Sequence, residues 1–221
     1  MAFKQLGMRA TMKFILIVVT TLVLMVDRPV WAAMGTPPVQ GAQKIDLAGR
    51  QRMLSQRMSK ALCMARAGIH KNAHRDMAAR TIERFSETLH QVAHGNVSCG
   101  MSSERDPEIL ARLNDVSLIW EPFAAAAMTG TDKDMSDAEF AKIYEGNLPL
   151  LVVANDAVTH FEKVYSSKTM DPLLASTINI TGAQRMLSQK AVKELCMVHL
   201  GVSKDADRAA LQRRLNSLTM H

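Results

Sequence analysis

Arg52 and Arg185 hold the same place in a phrase the chain writes twice, GRQRMLSQRM at Gly49–Met58 and GAQRMLSQKA at Gly182–Ala191. A guanidinium group carries five N–H donors in a rigid planar fork and keeps its charge at any physiological pH. Its natural partner is a carboxylate or another oxyanion, gripped by two parallel hydrogen bonds. A single such arginine is satisfied by water or by an acid on a neighbouring helix. A duplicated one, with no duplicated acid beside it (Asp46 becomes Asn179), points to two guanidinium groups meeting in one place. At a separation of about 4 Å and an effective dielectric near 20 they repel by about 4 kcal/mol. A compact oxyanion between them removes that cost and accepts hydrogen bonds from both. Gly49 and Gly182 stand three residues before the arginines. A glycine inside a helix costs roughly 1 kcal/mol against alanine, so a repeated one marks a close approach to the backbone. Arg52 and Arg185 are therefore the candidate ligand-binding residues, and Gly49 and Gly182 mark the close approach beside them. Cys63 and Cys196, also equivalent, are the candidate disulfide.

These residues are set on helices. Apolar residues recur at helical spacing through most of the chain, and no alternating strand pattern competes. Helix starts are expected at Asp106-Pro107, at the Ser136/Glu139 capping box and at Asp171-Pro172, and stops at Gly68, Gly95 and Gly201. Gly146 and Pro149 are expected to kink the fourth helix. A shift of 133 residues pairs Ile45–Ile69 with Ile178–Val202, and 13 of those 25 pairs are identical. The register continues, with KNAHRDMAARTIERF facing KDADRAALQRRLNSL. The fold class is thus all-α: an up-down bundle of about six helices, one four-helix unit over residues 43–168 and a partial second repeat over 171–221 packed on the first. On the first helix Leu47, Leu54, Met58, Leu62, Ala65 and Ile69 form a core stripe, answered by Ile180, Leu187, Ala191, Leu195, Val198 and Val202. A second stripe, Ile45, Gly49, Arg52, Gln56, Ser59 and Cys63, is small or weakly polar, and its counterpart runs from Ile178 to Cys196. Helices one and five, parallel in an up-down order, are expected to press these second stripes together, or against the same stripes in a second protomer as a homodimer.

Composition sets the compartment. Lys4, Arg9 and Lys13 precede an apolar run of about 13 residues, Phe14–Val26, and Val30 and Ala32 are small where a signal peptidase cuts. Residues 1–32 read as a secretory signal peptide, or, left uncleaved, as an N-terminal anchor; residues 33–42 read as a flexible lead-in. Export implies an oxidising compartment, where Cys63 and Cys196 can pair. Without the leader, the net charge falls from +6 to +3, and no basic block with interleaved aromatics marks a nucleic-acid partner.

The repeated phrases IDLAGRQRMLSQRMSKALCM and INITGAQRMLSQKAVKELCM resemble the PilJ-type periplasmic domain at the front of type IV pilus chemotaxis transducers. The same region is similar to the signature helix of nitrate/nitrite sensor kinases. The resemblance implies a periplasmic helical bundle that senses a small oxyanion and signals through a membrane-bound receptor or transducer. It also implies anion contacts from Arg52 and Arg185, with the backbone near Gly49 and Gly182 assisting. Those sensor kinases carry an aromatic residue where Gln56 and Gln189 stand here. No nucleophile–base pair, phosphate loop or catalytic carboxylate pair occurs, so no enzyme and no cofactor is expected. His70/His74 and His90/His94 have the four-residue spacing of metal ligands, but no further ligand completes a site. The many methionines fill the core.

Overall fold

The computed structural model describes residues 37–202, which form five α-helices. The expected signal peptide and the expected last helix, Asp205–Leu218, lie outside the described residues. The helices are α1 Pro37–Arg66, α2 Lys71–His94, α3 Pro107–Asp132, α4 Asp137–Lys168 and α5 Pro172–His199. Their starts follow the sequence. The Asp106 carboxylate accepts from the amides of Glu108 and Ile109, Asp171 accepts from Leu174, and Ser136 and Glu139 close a reciprocal capping box. Each cap satisfies amide donors that the first turn leaves without partners.

The contacts give the up-down order. Gln51 donates to Thr88 Oγ1 at 2.5 Å and to the Phe85 carbonyl at 3.2 Å, which sets α2 antiparallel to α1. Asn147 beside Ser59 and Asn155 beside Arg52 set α4 antiparallel to α1 as well. Phe85 and Trp120 stack with centroids 3.9 Å apart, locking α2 to α3. α5 lies along α1, and this is the most extensive helix pair in the fold. α1 is therefore the hub. Leu54, Met58 and Leu62 are buried on one face, and Ile45, Gly49, Arg52, Gln56, Ser59 and Cys63 on another. A helix enclosed on several sides keeps only a narrow outer stripe for charge, here the half-buried Asp46, Arg50, Arg57 and Lys60, and its other faces are large apolar or small.

Two expectations are corrected. The lead-in over residues 33–42 gives way to helix at Pro37, because the start of α1 is packed. A Cβ on Gly41 would sit 2.8 Å from the Tyr165 ring, and Gln40 accepts a hydrogen bond from Ser102 Oγ at 2.6 Å. Prolines at 37 and 38 suit a first turn, whose N–H groups have no helical acceptor. Gly146 and Pro149, where a kink is expected, both lie within the helical span of α4. Gly146 is small because the Phe123 ring would stand 2.8 Å from a Cβ there. Second, the apolar stripe of the second copy is not enclosed by the described residues. Ile180, Leu187 and Leu195 are 56 %, 47 % and 60 % exposed. The equivalent face of α1 is enclosed by α2 and α4, whereas among the described helices α5 touches α1 and, less extensively, α4.

One buried ion pair ties the ends together. Lys44, 2 % exposed, donates to Glu104 at 2.9 Å, and Tyr165 donates to the same carboxylate at 2.7 Å. Burial alone would raise the Glu104 pKa. The Asp106 amide, Lys44, Tyr165 and the Arg105 amide outweigh it and hold the carboxyl below its ordinary value. A depressed carboxyl stabilises the fold above its unfolded pKa, near 4.5, and that contribution is lost as pH falls through the lower folded value. Glu104→Gln, which leaves Lys44 buried without its counter-charge, is expected to destabilise by about 3–5 kcal/mol in urea denaturation at pH 7. The deficit should shrink on acidification. A wild-type-like midpoint at pH 7 would contradict this account.

Candidate functional site

The structure brings α1 and α5 together in parallel and in register, within one chain. Gly182 meets Gly49, and Cys63 is joined to Cys196 by a disulfide further along, residue for residue at the 133-position offset. Side chains small enough to let the backbones approach are what this register needs. A Cβ added to Gly182 would lie 3.6 Å from Gly49 Cα, 3.1 Å from Arg52 Nη2 and 3.8 Å from Arg185 Nη2.

The arginines cross this seam. Arg52 reaches from α1 to α5, and Nη2 donates to both the side-chain oxygen and the carbonyl of Asn179, at 2.7 and 3.0 Å. Its Nη1 donates to Asn155 of α4 at 2.9 Å. Arg185 reaches from α5 to α1 and donates to Asp46 at 2.5 Å. Asp46 and Asn179 are themselves equivalent positions, so one contact is made twice with partners exchanged. Each arginine runs back about six residues, on the order of 9 Å along the axis, in the direction in which helical side chains lean. The repeat offset relates 46 to 179, but the sequence reading took that substitution only as a missing acid. Asp46, Asn155, Asn179 and Glu162 are thus site residues that it did not assign.

The guanidinium groups lie close together. Their Nη2 atoms are no more than about 7 Å apart, since both approach the Cβ position of Gly182. That separation corresponds to about 2 kcal/mol of repulsion at an effective dielectric near 20. Counter-charge comes from the protein, unevenly. Asp46 holds Arg185 and also Arg50, whose Nη2 donates to its other oxygen at 2.8 Å. Arg52 has only neutral amide partners, and behind them Glu162 accepts from Asn179. Three guanidinium groups therefore face two carboxylates. Burial is the main influence lowering the Arg52 pKa; Glu162 raises it and Arg185 lowers it further. For Asp46, burial pushes upward, but hydrogen bonds from Arg185 and Arg50 and their charges bring the carboxyl below its ordinary value.

Some polar capacity is unused. The Nε atoms of Arg52 and Arg185 are buried without an acceptor, and so are the Oε1 atoms of Gln56 and Gln189 without a donor. Arg52 itself is 2 % exposed. A polar line leads away along α1. Gln56 donates to Ser55, and Ser59 donates to the Ser55 carbonyl. Asn147 donates to Ser59 at 2.7 Å and accepts from the buried Lys193 of α5 at 2.5 Å.

The other candidates stay apart from this seam. Cys99 is a free, half-buried thiol. His90 and His94 lie with ring centroids 4.5 Å apart, and among the described residues no three His, Cys, Asp or Glu side chains are grouped to hold a metal ion. No described helix is long and apolar enough to cross a membrane.

Residues 39–144, which include Gly49, Arg52 and Cys63, match the family described as type IV pili methyl-accepting chemotaxis transducer N-term, PilJ. This segment is similar to PilJ domains. Domains of this family are periplasmic sensory modules that serve a membrane-bound transducer, and the family is not a catalytic one. No curated protein and no solved structure gives a significant match. The PilJ match covers α1 to the first part of α4, and α5 supplies the other half of the arginine seam from outside it.

The two glycines differ in their surroundings. At Gly49 a Cβ would meet nothing closer than 3.5 Å, an ordinary contact, whereas at Gly182 it would press on Arg52 at 3.1 Å. Gly49→Ala should be neutral or raise stability by up to roughly 1 kcal/mol through helix propensity. Gly182→Ala should lower it. Paired thermal melts check this ordering, and equal effects at both positions would refute the close approach at Gly182.

Proposed function

We propose that the chain is a periplasmic sensory module whose crossed arginines read a small oxyanion of the nitrate or nitrite kind, reporting occupancy to a membrane-bound transducer. The observation that carries this reading is the crossed pair itself. Two guanidinium groups at one level of a helix seam carry excess positive charge and keep two buried Nε–H donors without an acceptor. A planar oxyanion has the shape and charge to take hydrogen bonds from both forks. Asp46 is its internal competitor, because it accepts from Arg185 across the seam. Binding in this scheme exchanges one acceptor for another, and α5 shifts relative to α1 as Arg185 leaves Asp46. The leader expected over residues 1–32 and the disulfide between Cys63 and Cys196 fit an oxidising, exported setting.

A second reading rests on the same contacts. Asp46, Asn155 and Asn179 already engage the terminal nitrogens, so the arginines can serve as a clasp between α1 and α5 in an adaptor that takes no small ligand. Titration calorimetry and thermal melts of the full chain against nitrate, nitrite and chloride separate the two. The sensor reading expects heat and stabilisation by nitrate or nitrite, lost in Arg52→Ala and Arg185→Ala. In Asp46→Asn, where the competing carboxylate is neutral, it expects binding tighter by roughly tenfold or more. If nitrate and nitrite behave like chloride in wild type and in Asp46→Asn alike, the seam is a structural clasp.

A further inference from the structure

We propose that the exposed apolar face of α5 is the docking surface for residues 203–221, which cover it as α2 covers α1. Leu54 and Leu62 of α1 are 3 % and 2 % exposed, while their equivalents Leu187 and Leu195 are 47 % and 60 % exposed. Ile180, Leu187 and Leu195 share one stripe at helical spacing. A stripe of large apolar residues that is core in one copy and bare in the other has a missing cover.

The described chain stops just where that cover would begin. The turn after α5 repeats the turn after α1, bond for bond. The Ala67 amide donates to the Cys63 carbonyl at 2.9 Å, and Leu200 to Cys196 at 3.0 Å. Gly68 donates to Ala65 at 3.1 Å, and Gly201 to Val198 at 3.0 Å. Ile69 donates to Met64 at 3.0 Å, and Val202 to Met197 at 3.1 Å. The two glycines have φ of 75° and 70°, the left-handed conformation that glycine adopts without strain. The first of these turns aims α2 back along α1. The second matches it through Val202, and the proposal extends the match to the chain that follows.

The segment has side chains to match. In the 133-residue register Leu211, Leu215 and Leu218 fall on Ala78, Ile82 and Phe85, three residues that α2 buries against the core. Their spacing of four and three places all of them on one helical face. The register also sets the reach. Gln51 touches Phe85 and Thr88, whose equivalents are Leu218 and His221, so the segment extends along α5 to about Gln184. That span takes in Leu187 and Leu195.

Hydrogen exchange on the full chain tests the proposal directly. Amides of residues 205–218 should be protected in wild type. In Leu211→Asp/Leu215→Asp that protection should fall to the level of unfolded peptide, while α1–α4 keep theirs. As a second readout, Leu187→Cys in a Cys99→Ser background should react slowly with a maleimide. Adding Leu211→Asp/Leu215→Asp should speed the reaction at least tenfold. Rapid exchange throughout 205–218 in wild type would overturn the proposal. So would a dimeric mass in sedimentation equilibrium that Leu187→Asp abolishes, since a second copy of the chain would then be the cover.

Discussion

Everything in this fold answers to the closeness of two parallel helices. Where Gly182 faces Gly49 the backbones approach closely and the guanidinium tips of Arg52 and Arg185 lie over the glycines, so that a Cβ at Gly182 would press on Arg52 at 3.1 Å. Burying an arginine is tolerable when its donors are met and its charge is offset. Here both conditions are met in part. Arg185 has a carboxylate, Arg52 has amides, and each retains a buried Nε–H without an acceptor. The pseudo-symmetric contact is therefore electrically lopsided, because position 46 is Asp and position 179 is Asn. A seam with acids at both positions would be closed to any anion, and one with amides at both would repel itself more strongly.

The rest of the bundle serves to hold this contact at fixed height. α4 runs down the back of α1, with Asn155 at the level of Arg52 and Asn147 at the level of Ser59. α2 brings its apolar face to the opposite side, and α3 is fixed to it through the Phe85–Trp120 stack. The Lys44–Glu104–Tyr165 cluster anchors the start of α1 to the loop before α3 and to the end of α4. These are contacts of one helix with all the others, which explains why α1 carries the densest sequence signature in the chain.

Helix starts were legible because caps are local: Asp106, Ser136 and Asp171 each act within three residues of themselves. The pairing of α1 with α5 was legible because the chain repeats, so equivalent glycines, arginines and cysteines indicated a common level. The partners of the arginines were not legible. Asn155 belongs to α4, where its neighbours give no sign of a role, and the Asp46–Asn179 equivalence acquires meaning only once the side chains are seen to lean back across the seam. The early start of α1 was hidden for a related reason: residues 33–42 lack apolar periodicity, and it is Tyr165, far along the sequence, that packs on Gly41. The exposure of Leu187 and Leu195 was equally invisible, because periodicity identifies a face and says nothing of what stands opposite it.

The Cys63–Cys196 link also shapes how the pair can move. A covalent tie at one level of two parallel rods forbids sliding there and leaves splaying as the soft motion, with the sulfurs as fulcrum. Arg52 lies eleven residues from Cys63, a lever arm of about 16 Å, and Pro37 lies twenty-six residues away, about 39 Å. Any separation of α1 from α5 therefore has to grow with distance from the sulfurs, and it works against the Lys44–Glu104–Tyr165 cluster that holds the far end of α1.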